Sequence, residues 1–157
     1  MVFSFAYYYL GNRQEAEDVT QDVLMRFWRH FHTLEEEIIP RWLNRVTKNR
    51  SFDLLRSRTR RRKVVSEDAD DVVALFAESD EPGPHHEMEQ DVVRDQVRRA
   101  VLELPEPYRS AIIFREILEL TYRQTAEALE IPLNTAKVHV HRGRRMLRDH
   151  LREAHSV

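Results

Sequence analysis

The chain has 157 residues with a net charge of −2, 41% hydrophobic and 33% charged side chains, a mixture typical of a globular protein of one or two domains. It has no cysteine, which excludes disulfides, thiolate metal ligands and a cysteine nucleophile. No apolar run approaches the roughly 20 residues of a membrane span, and no basic signal-peptide segment opens the chain, so we expect a cytoplasmic protein.

Charge is distributed very unevenly along the chain. Residues 41–65 hold ten basic side chains and one acidic, a net charge of +9, whereas residues 66–91 hold ten acidic side chains and no Lys or Arg. Residues 92–157 are mildly basic, with 12 basic and 9 acidic side chains. The basic blocks favour a polyanionic partner, although one charged run alone is as often a solvated face.

Residues 1–65 predict a helical domain of three helices. The first is rich in aromatic residues and ends at Gly11, which suits a helix C-cap, and Asn12 suits the N-cap of the second. A third, basic helix is expected to begin after Pro40 and to continue through Leu55. The second helix carries an apolar stripe at i, i+3 and i+4 steps, formed by Ala16, Val19, Val23, Phe27 and Phe31, with Leu24 and Trp28 beside them.

The acidic residues 66–91 are interpreted as a flexible linker. Two prolines flank Gly83 there and cannot continue a helix. Because the flanking segments have helical periodicity, the sequence predicts an all-α protein with two small domains, residues 1–65 and 92–157. We expect the acidic linker to mask basic surfaces of the free protein, and its apolar residues 72–76 to dock as a short helix.

The second domain ends in a predicted helix-turn-helix. Thr121 and Gln124 match the capping box that opens a short helix. A break follows in which Pro132 ends one helix and Asn134 caps the next, a long basic helix over residues 135–151. In this motif the second helix enters the major groove of DNA.

Polar and basic side chains of this motif are candidates for DNA contact. Cations neutralise phosphates and supply affinity, whereas side chains near the start of the last helix supply specificity. A basic, solvated bundle helix is the alternative interpretation. The side chains of the last helix expected to face outward are Lys137, His139, His141, Arg142, Arg144, Arg145 and Arg148. The candidate DNA-contacting residues are Arg123, Thr135, Lys137, Val138, His139, His141, Arg142 and Arg145.

With both domains laid out, the chain resembles an extracytoplasmic-function sigma factor, a minimal promoter-recognition subunit of bacterial RNA polymerase. Residues 16–28, AEDVTQDVLMRFW, resemble the helix that docks on the clamp of core polymerase. Residues 41–56, RWLNRVTKNRSFDLLR, resemble the helix that opens and reads the minus-ten promoter element. The segment LPEPYR at 104–109, with residues 120–147, resembles region four, whose last helix reads the minus-thirty-five element.

The resemblance implies three sites, one for docking on core polymerase and one for each promoter element. It implies that the candidate DNA-contacting residues of the helix-turn-helix read the minus-thirty-five element. For the third helix, aromatic and amide groups beside cations suit unpaired bases, although Trp42 is as readily a core residue. The implied polymerase-binding residues are Asp18, Gln21, Asp22, Met25 and Arg29, and the implied minus-ten residues are Arg41, Trp42, Arg45, Lys48, Asn49 and Arg56. The implied partners are core RNA polymerase, through its clamp and flap, promoter DNA and an anti-sigma factor, with no cofactor or metal.

The sequence departs from the family pattern in several places. Family members usually have more helix before the first residues of this chain. Glu130 stands in the helix-turn-helix break where glycine is usual, and a left-handed backbone there costs on the order of 1 kcal/mol. Asn134 also replaces a common glycine, and His139 and His141 replace small or basic residues, so the promoter preference does not carry over.

Two other classes of function are less consistent with the sequence. An enzyme is disfavoured because no glycine-rich phosphate loop or serine elbow is present, and the paired histidines are one or two residues apart, which does not place them on one helix face. A dimeric helix-turn-helix regulator with a sensing N-terminal domain is the serious rival. The basic, aromatic-bearing third helix favours the sigma factor, since a regulator with one DNA-reading helix has no need of it.

Overall fold

The computed structural model describes residues 1–65 and 88–156, which form seven α-helices and, within these ranges, no strand. The predicted all-α fold is confirmed. The predicted linker lies outside the described residues except for its last four, which belong to α4, and its expected masking role lies outside them as well. The helices are α1 Val2–Leu10, α2 Arg13–His30, α3 Ile39–Val65, α4 Met88–Leu102, α5 Tyr108–Ile112, α6 Tyr122–Leu129 and α7 Leu133–His155.

The corner between α1 and α2 forms as predicted. Gly11 ends α1 with a φ of 72°, in the left-handed region, and the Oδ1 of Asn12 accepts a hydrogen bond of 3.0 Å from the backbone N–H of Glu15. A side chain at Gly11 would place its Cβ 2.7 Å from Cδ1 of Leu102, on α4. Glycine is therefore required here both by the backbone and by close packing.

Several helix boundaries differ from the sequence prediction, among them the end of α3 and the start of α7. α3 continues ten residues beyond Leu55, because residues 41–65 contain no glycine or proline and are rich in strong helix formers. α7 begins at Leu133 with Pro132 as its N-cap, so the prediction that Asn134 caps it was wrong. The extended backbone of Pro132, with ψ at 149°, takes the N-cap position, and its carbonyl accepts the N–H of Ala136 at 3.0 Å.

One hydrophobic core joins the two predicted domains, here called the N-terminal half (residues 1–65) and the C-terminal half (residues 88–156). The ring of Phe5 on α1 stacks on that of Phe114 with the centroids 4.5 Å apart, and both side chains are fully buried. The core continues into both halves through Ala6, Tyr9, Leu10, Val19, Val23, Val101, Leu104, Ile112 and Ile113. The halves therefore pack directly against each other, a placement that the sequence did not reveal.

Two arginines of the C-terminal half complete this contact. Arg109 donates hydrogen bonds to the carbonyls of Leu102 (2.5 Å) and Leu104 (2.9 Å) at the end of α4, and its guanidinium lies 5.4 Å from the ring centroid of Tyr9. Burial lowers the pKa of Arg109 and raises the pKa of Tyr9. Arg98 donates to the carbonyl of Gly11 at 3.1 Å. These bonds satisfy carbonyls at the ends of α1 and α4 that have no partner within their own helices.

Candidate nucleic-acid interface

The helix-turn-helix begins with the predicted capping box. Thr121 Oγ1 accepts the N–H of Gln124 at 3.1 Å, and Gln124 Oε1 accepts the N–H of Thr121 at 2.9 Å, which confirms the capping box. The side chain of Arg123, in the first turn of α6, is exposed. α6 ends at Leu129, and Glu130 follows it as the C-cap with φ 57° and ψ 42°. This left-handed conformation costs a residue with a side chain on the order of 1 kcal/mol.

The inner face of α7 packs closely on α5. Ala136, Val140 and Gly143 are buried, and a Cβ at Gly143 would lie 2.6 Å from Cγ1 of Ile112. This close approach fixes the rotation of α7 and leaves its opposite face to solvent. The exposed candidates on that face are Lys137, Val138, His141, Arg142 and Arg145, and Thr135 is half-buried beside them.

Two side chains of α7 contact residues of α5 and of the turn after it. His139 was predicted to face outward, and this is wrong: it is half-buried, with its ring edge against Tyr108 at 5.8 Å between centroids. The helix rotation set by Gly143 turns position 139 toward α5 and away from solvent. Arg144 donates to Oε1 of Glu116 at 2.9 Å from Nε and 2.5 Å from Nη2, and these hydrogen bonds raise its pKa.

The candidate minus-ten residues on α3 have two kinds of surroundings. Arg41, Asn49 and Arg56 are exposed, whereas Trp42 is half-buried with its ring centroid 6.1 Å from that of Phe27. The other two candidates, Arg45 and Lys48, are half-buried on the side of α3 that meets the C-terminal half. α3 passes through Asn49 as an unbroken helix.

Residues from the two candidate DNA sites meet where α3 contacts α6. Nε of Arg45 lies 3.2 Å from Oε1 of Glu130, and these side chains are 37% and 47% exposed. A cavity of about 520 Å³ lies at this contact. Another, of about 750 Å³, lies elsewhere, between the C-terminal part of α7 and Glu116 in the turn after α5. The lining of the cavity at the contact contains three arginines and two glutamates, Arg41, Arg45, Arg123, Glu127 and Glu130.

A second cavity, of about 260 Å³, lies beside the first on the same face of α3. Lys48, Asn49 and Phe52 line it from the N-terminal half, and His139 lines it from α7. Candidate residues for the two promoter elements therefore share both cavities. The sequence placed these residues in separate sites and carried no signal of their proximity.

The candidate polymerase-binding residues lie along the outer face of α2. Asp18, Gln21, Met25 and Arg29 are exposed. Asp22 differs, since its Oδ2 lies 2.7 Å from Nε of Arg50 on α3 and 3.2 Å from Nε of Arg26. Asp22 is thus also a link between α2 and α3 and is not simply a free docking carboxylate.

Two large apolar side chains extend this face of α2. Leu24 and Trp28 were predicted beside the buried stripe, but they are 52% and 73% exposed, and Met25 is 52% exposed. Both lie one position away from Val23 and Phe27 of the stripe, a rotation of about 100° that turns them out of the core. The result is an apolar patch with polar neighbours, which is typical of a surface that binds another protein.

Two further features were sought in the part of the chain described. Within residues 1–65 and 88–156, no three His, Asp or Glu side chains are grouped so as to hold a metal ion. Among these same residues, no helix has both the length and the apolar character needed to cross a membrane.

Comparison with known families gives two matches that together cover both halves. Residues 1–61 match the model described as sigma-70 region 2, and residues 94–147 match the model described as sigma-70, region 4. α1, α2 and most of α3 thus correspond to region 2, and most of α4 with α5, α6 and the greater part of α7 to region 4.

Named relatives agree with these matches. The chain is 32% identical over 151 residues to the ECF RNA polymerase sigma factor SigE of Mycolicibacterium smegmatis, covering 96% of this chain but 57% of that relative's length. It is 28% identical to the ECF RNA polymerase sigma factor SigW of Bacillus subtilis, covering 97% of this chain and 83% of the relative.

The fold also has counterparts among solved structures. The sigma factor RpoE from Bartonella quintana, solved in complex with the anti-sigma factor NepR, superposes with a TM-score of 0.75 at 22% identity, covering 96% of this chain and 89% of that one. At this level of identity the likeness concerns the fold.

Proposed function

Since the chain belongs to the sigma-70 family, in its extracytoplasmic-function group, we propose that it binds core RNA polymerase in the cytoplasm and directs it to promoters. Its part is one of binding and recognition, without catalysis of its own. The observation that carries this proposal is that the chain contains both region 2 and region 4, and in each of them exposed side chains of the required chemistry lie on one helix face.

The exposed face of α7 supports recognition of the minus-thirty-five element. Lys137, Arg142 and Arg145 supply charge for phosphates, while Val138 and Thr135, near the start of the helix, suit contacts to base edges. On α3, Arg41, Asn49 and the partly covered Trp42 provide the corresponding groups for the minus-ten element. DNA affinity that depends on such cations falls steeply as salt rises.

The outer face of α2 supports polymerase docking. Leu24, Met25 and Trp28 form the apolar patch, and Asp18 and Arg29 flank it with charges of both signs. Exposed tryptophan at the centre of such a patch is a common source of binding energy between proteins, because its burial removes a large apolar area from water. The patch therefore adds Leu24 and Trp28 to the five polymerase-binding residues inferred from the sequence.

Binding of the purified chain to bacterial core RNA polymerase tests the proposal. We expect Trp28→Ala to weaken binding by about 30-fold or more, the effect of losing a central aromatic contact worth about 2 kcal/mol. Val93→Ala, which trims an exposed apolar side chain on α4, is the matched control and should leave the affinity unchanged. Unchanged thermal unfolding of both variants would exclude misfolding as the cause.

Two other results would contradict the proposal. A folded wild-type chain that does not bind core polymerase, yet binds a palindromic duplex as a dimer, would instead identify a stand-alone regulator. If Trp28→Ala and Val93→Ala lose equal affinity, the docking surface does not lie on α2.

An anti-sigma protein is the further partner we propose, because the RpoE counterpart was solved with one. A protein that covers the apolar patch of α2 would exclude polymerase by competition. In a binding assay, a candidate anti-sigma protein should therefore displace the chain from core polymerase, and Trp28→Ala should weaken both complexes.

A further inference from the structure

The cavity of about 260 Å³ beside α3 combines apolar walls with a small number of polar groups. Its apolar lining includes Phe52 on α3 and, from the helix-turn-helix, Leu129 and Ile131. Its polar groups come from α1, α3, α7 and the start of α5. This combination is typical of sites for small molecules, in which apolar walls bury the ligand and a few polar groups orient it.

The polar groups on the α5 side of the cavity already satisfy one another. Oε2 of Glu106 accepts a hydrogen bond of 2.7 Å from the hydroxyl of Ser110, and Oε1 accepts one of 3.2 Å from the backbone N–H of the same residue. Glu106 also interacts electrostatically with the guanidinium of Arg109, which balances its charge. This carboxylate is therefore bonded within the protein.

Two other polar groups of the lining lack a partner in the part of the chain that the structure describes. Lys48 is half-buried and, among the described residues, forms neither a hydrogen bond nor an ion pair. Nδ1 of His139 is buried and likewise has no hydrogen-bond partner within these residues. Covering polar groups without a partner costs free energy, and most for a charged one. A ligand that bonds to both groups removes that cost.

The chemistry of the lining indicates the class of ligand. A carboxylate suits the ammonium of Lys48, because hydrogen bonds between ionised groups are the strong ones. Since Lys48 is a single uncommitted cation, it balances one negative charge, and the nearby carboxylate of Glu106 disfavours a second. The rings of Phe52 and Tyr9 in the lining favour a flat apolar body. A flat ring that carries one carboxylate meets all of these conditions.

We propose that this cavity is a binding site for a small aromatic monocarboxylate. The carboxylate pairs with Lys48 and accepts a hydrogen bond from Nδ1–H of His139, while the ring lies against Phe52 and the apolar wall. The ligand therefore contacts both halves of the chain, through α3 and α7. This site goes beyond the proposed function, which involves no small molecule.

The test titrates the free, full-length chain with three probes and follows its backbone amides by NMR. Benzoate has both the ring and the charge, benzyl alcohol has the ring alone, and acetate has the charge alone. We expect benzoate to bind with a Kd on the order of 1 mM, shifting the amides of Asn49, Phe52 and His139, and the other two probes to bind at least about tenfold more weakly. Acetate binding as tightly as benzoate would overturn the proposal, and so would benzyl alcohol doing so.

Lys48→Met tests the charged contact. Methionine keeps an unbranched side chain but removes the ammonium, so the affinity for benzoate should fall about tenfold or more while that for benzyl alcohol stays the same. Lys63→Met is the matched control, because Lys63 is an exposed lysine on the same helix and does not line the cavity. Equal losses in the two variants would overturn the proposal, since they would reflect only the attraction of an anion to a basic helix.

His139→Phe tests the second polar contact. Phenylalanine keeps a ring at this position and removes Nδ1, so benzoate should bind about three- to tenfold more weakly. An unchanged affinity would overturn the assignment of His139 to the site.

These measurements involve neither polymerase nor DNA. A chain that binds benzoate as expected but does not bind core polymerase would contradict only the proposed function, and the reverse result would contradict only the ligand site. Thermal unfolding of each variant should show that all remain folded, and the three probes on the wild-type chain decide the proposal even where a variant does not fold.

Discussion

The two long basic helices, α3 and α7, present their charges differently. The candidate cations of α7 project into solvent because its small residues, up to Gly143, pack closely on α5. On α3, Arg45 and Lys48 are partly covered by the C-terminal half, and the buried Asn44, Thr47 and Ser51 lie on the same helix. The two helices have similar charge in the sequence. The basic side chains of α7 are nevertheless exposed to solvent, whereas those of α3 are partly covered. The free chain should accordingly bind DNA mainly through α7.

The largest expected effect comes from breaking the core that holds the two halves together. Phe114→Ala removes the ring stacked on Phe5 and should lower the free energy of unfolding by about 3–5 kcal/mol, the range for a fully buried phenylalanine. Urea unfolding followed by circular dichroism measures it. Phe52→Ala, at a ring on α3 that is partly exposed, is the control and should cost much less. Similar losses at both positions would contradict a core shared by the halves.

The packing that turns the basic face of α7 outward can be tested at Gly143. Gly143→Ala should destabilise the protein by about 1–3 kcal/mol, because its Cβ would meet Ile112. On an exposed helix the same change stabilises by about 1 kcal/mol, since alanine is the better helix former. Thermal unfolding gives the sign directly. A stabilised variant would mean that α7 is not packed on α5 at this point.

A smaller effect is expected at the start of the helix-turn-helix. Thr121→Ala removes one side of the capping box and should cost about 1 kcal/mol in the free energy of unfolding. Thr20→Ala is a useful comparison, because the Thr20 hydroxyl only donates to the carbonyl of Ala16 within α2. If chemical denaturation shows an equal or larger loss for Thr20→Ala, the capping box contributes nothing specific.

The smallest effect compares the two basic helices directly. The measured quantity is the affinity of the free chain for a mixed-sequence duplex at different salt concentrations. Arg142→Ala should make the slope of log affinity against log salt shallower by about one. Between 50 and 200 mM salt the variant should therefore lose about fourfold less affinity than the wild type does. Lys48→Ala should leave the slope unchanged, because that side chain is partly covered within the cavity between the halves. Fluorescence anisotropy across this salt range measures both. Equal changes would show that α3 is as open to DNA as α7.

Local patterns were well predicted where neighbouring residues decide the structure. Asn12 as an N-cap, Gly11 as a C-cap and the Thr121 capping box depend on residues at most four positions apart. One local prediction failed, since Pro132, two positions before Asn134, takes the N-cap of α7. The prediction for His139 failed because a distant residue decides the outcome: the close packing of Gly143 on Ile112 sets the rotation of α7 and turns His139 inward.

The candidate sites were predicted as sets of residues but not as surfaces. Helical spacing identified most of the outer face of α2, yet it placed Leu24 and Trp28 on the wrong side, since a difference of one position separates core from solvent. The engagement of Asp22 with Arg50 was also missed. Nothing in a single sequence indicates which cation on another helix a carboxylate will meet.

By itself, the sequence determined the helices, their main caps, the charge blocks and the family resemblance, because each depends on residue type and short-range spacing. Only the tertiary structure decided that the halves share one core through Phe5 and Phe114, and that Arg45 meets Glu130. These contacts join residues more than 80 positions apart. Apolar side chains and opposite charges interact wherever the fold places them close together, regardless of their separation along the chain. A local sequence pattern therefore does not predict which distant residues will meet.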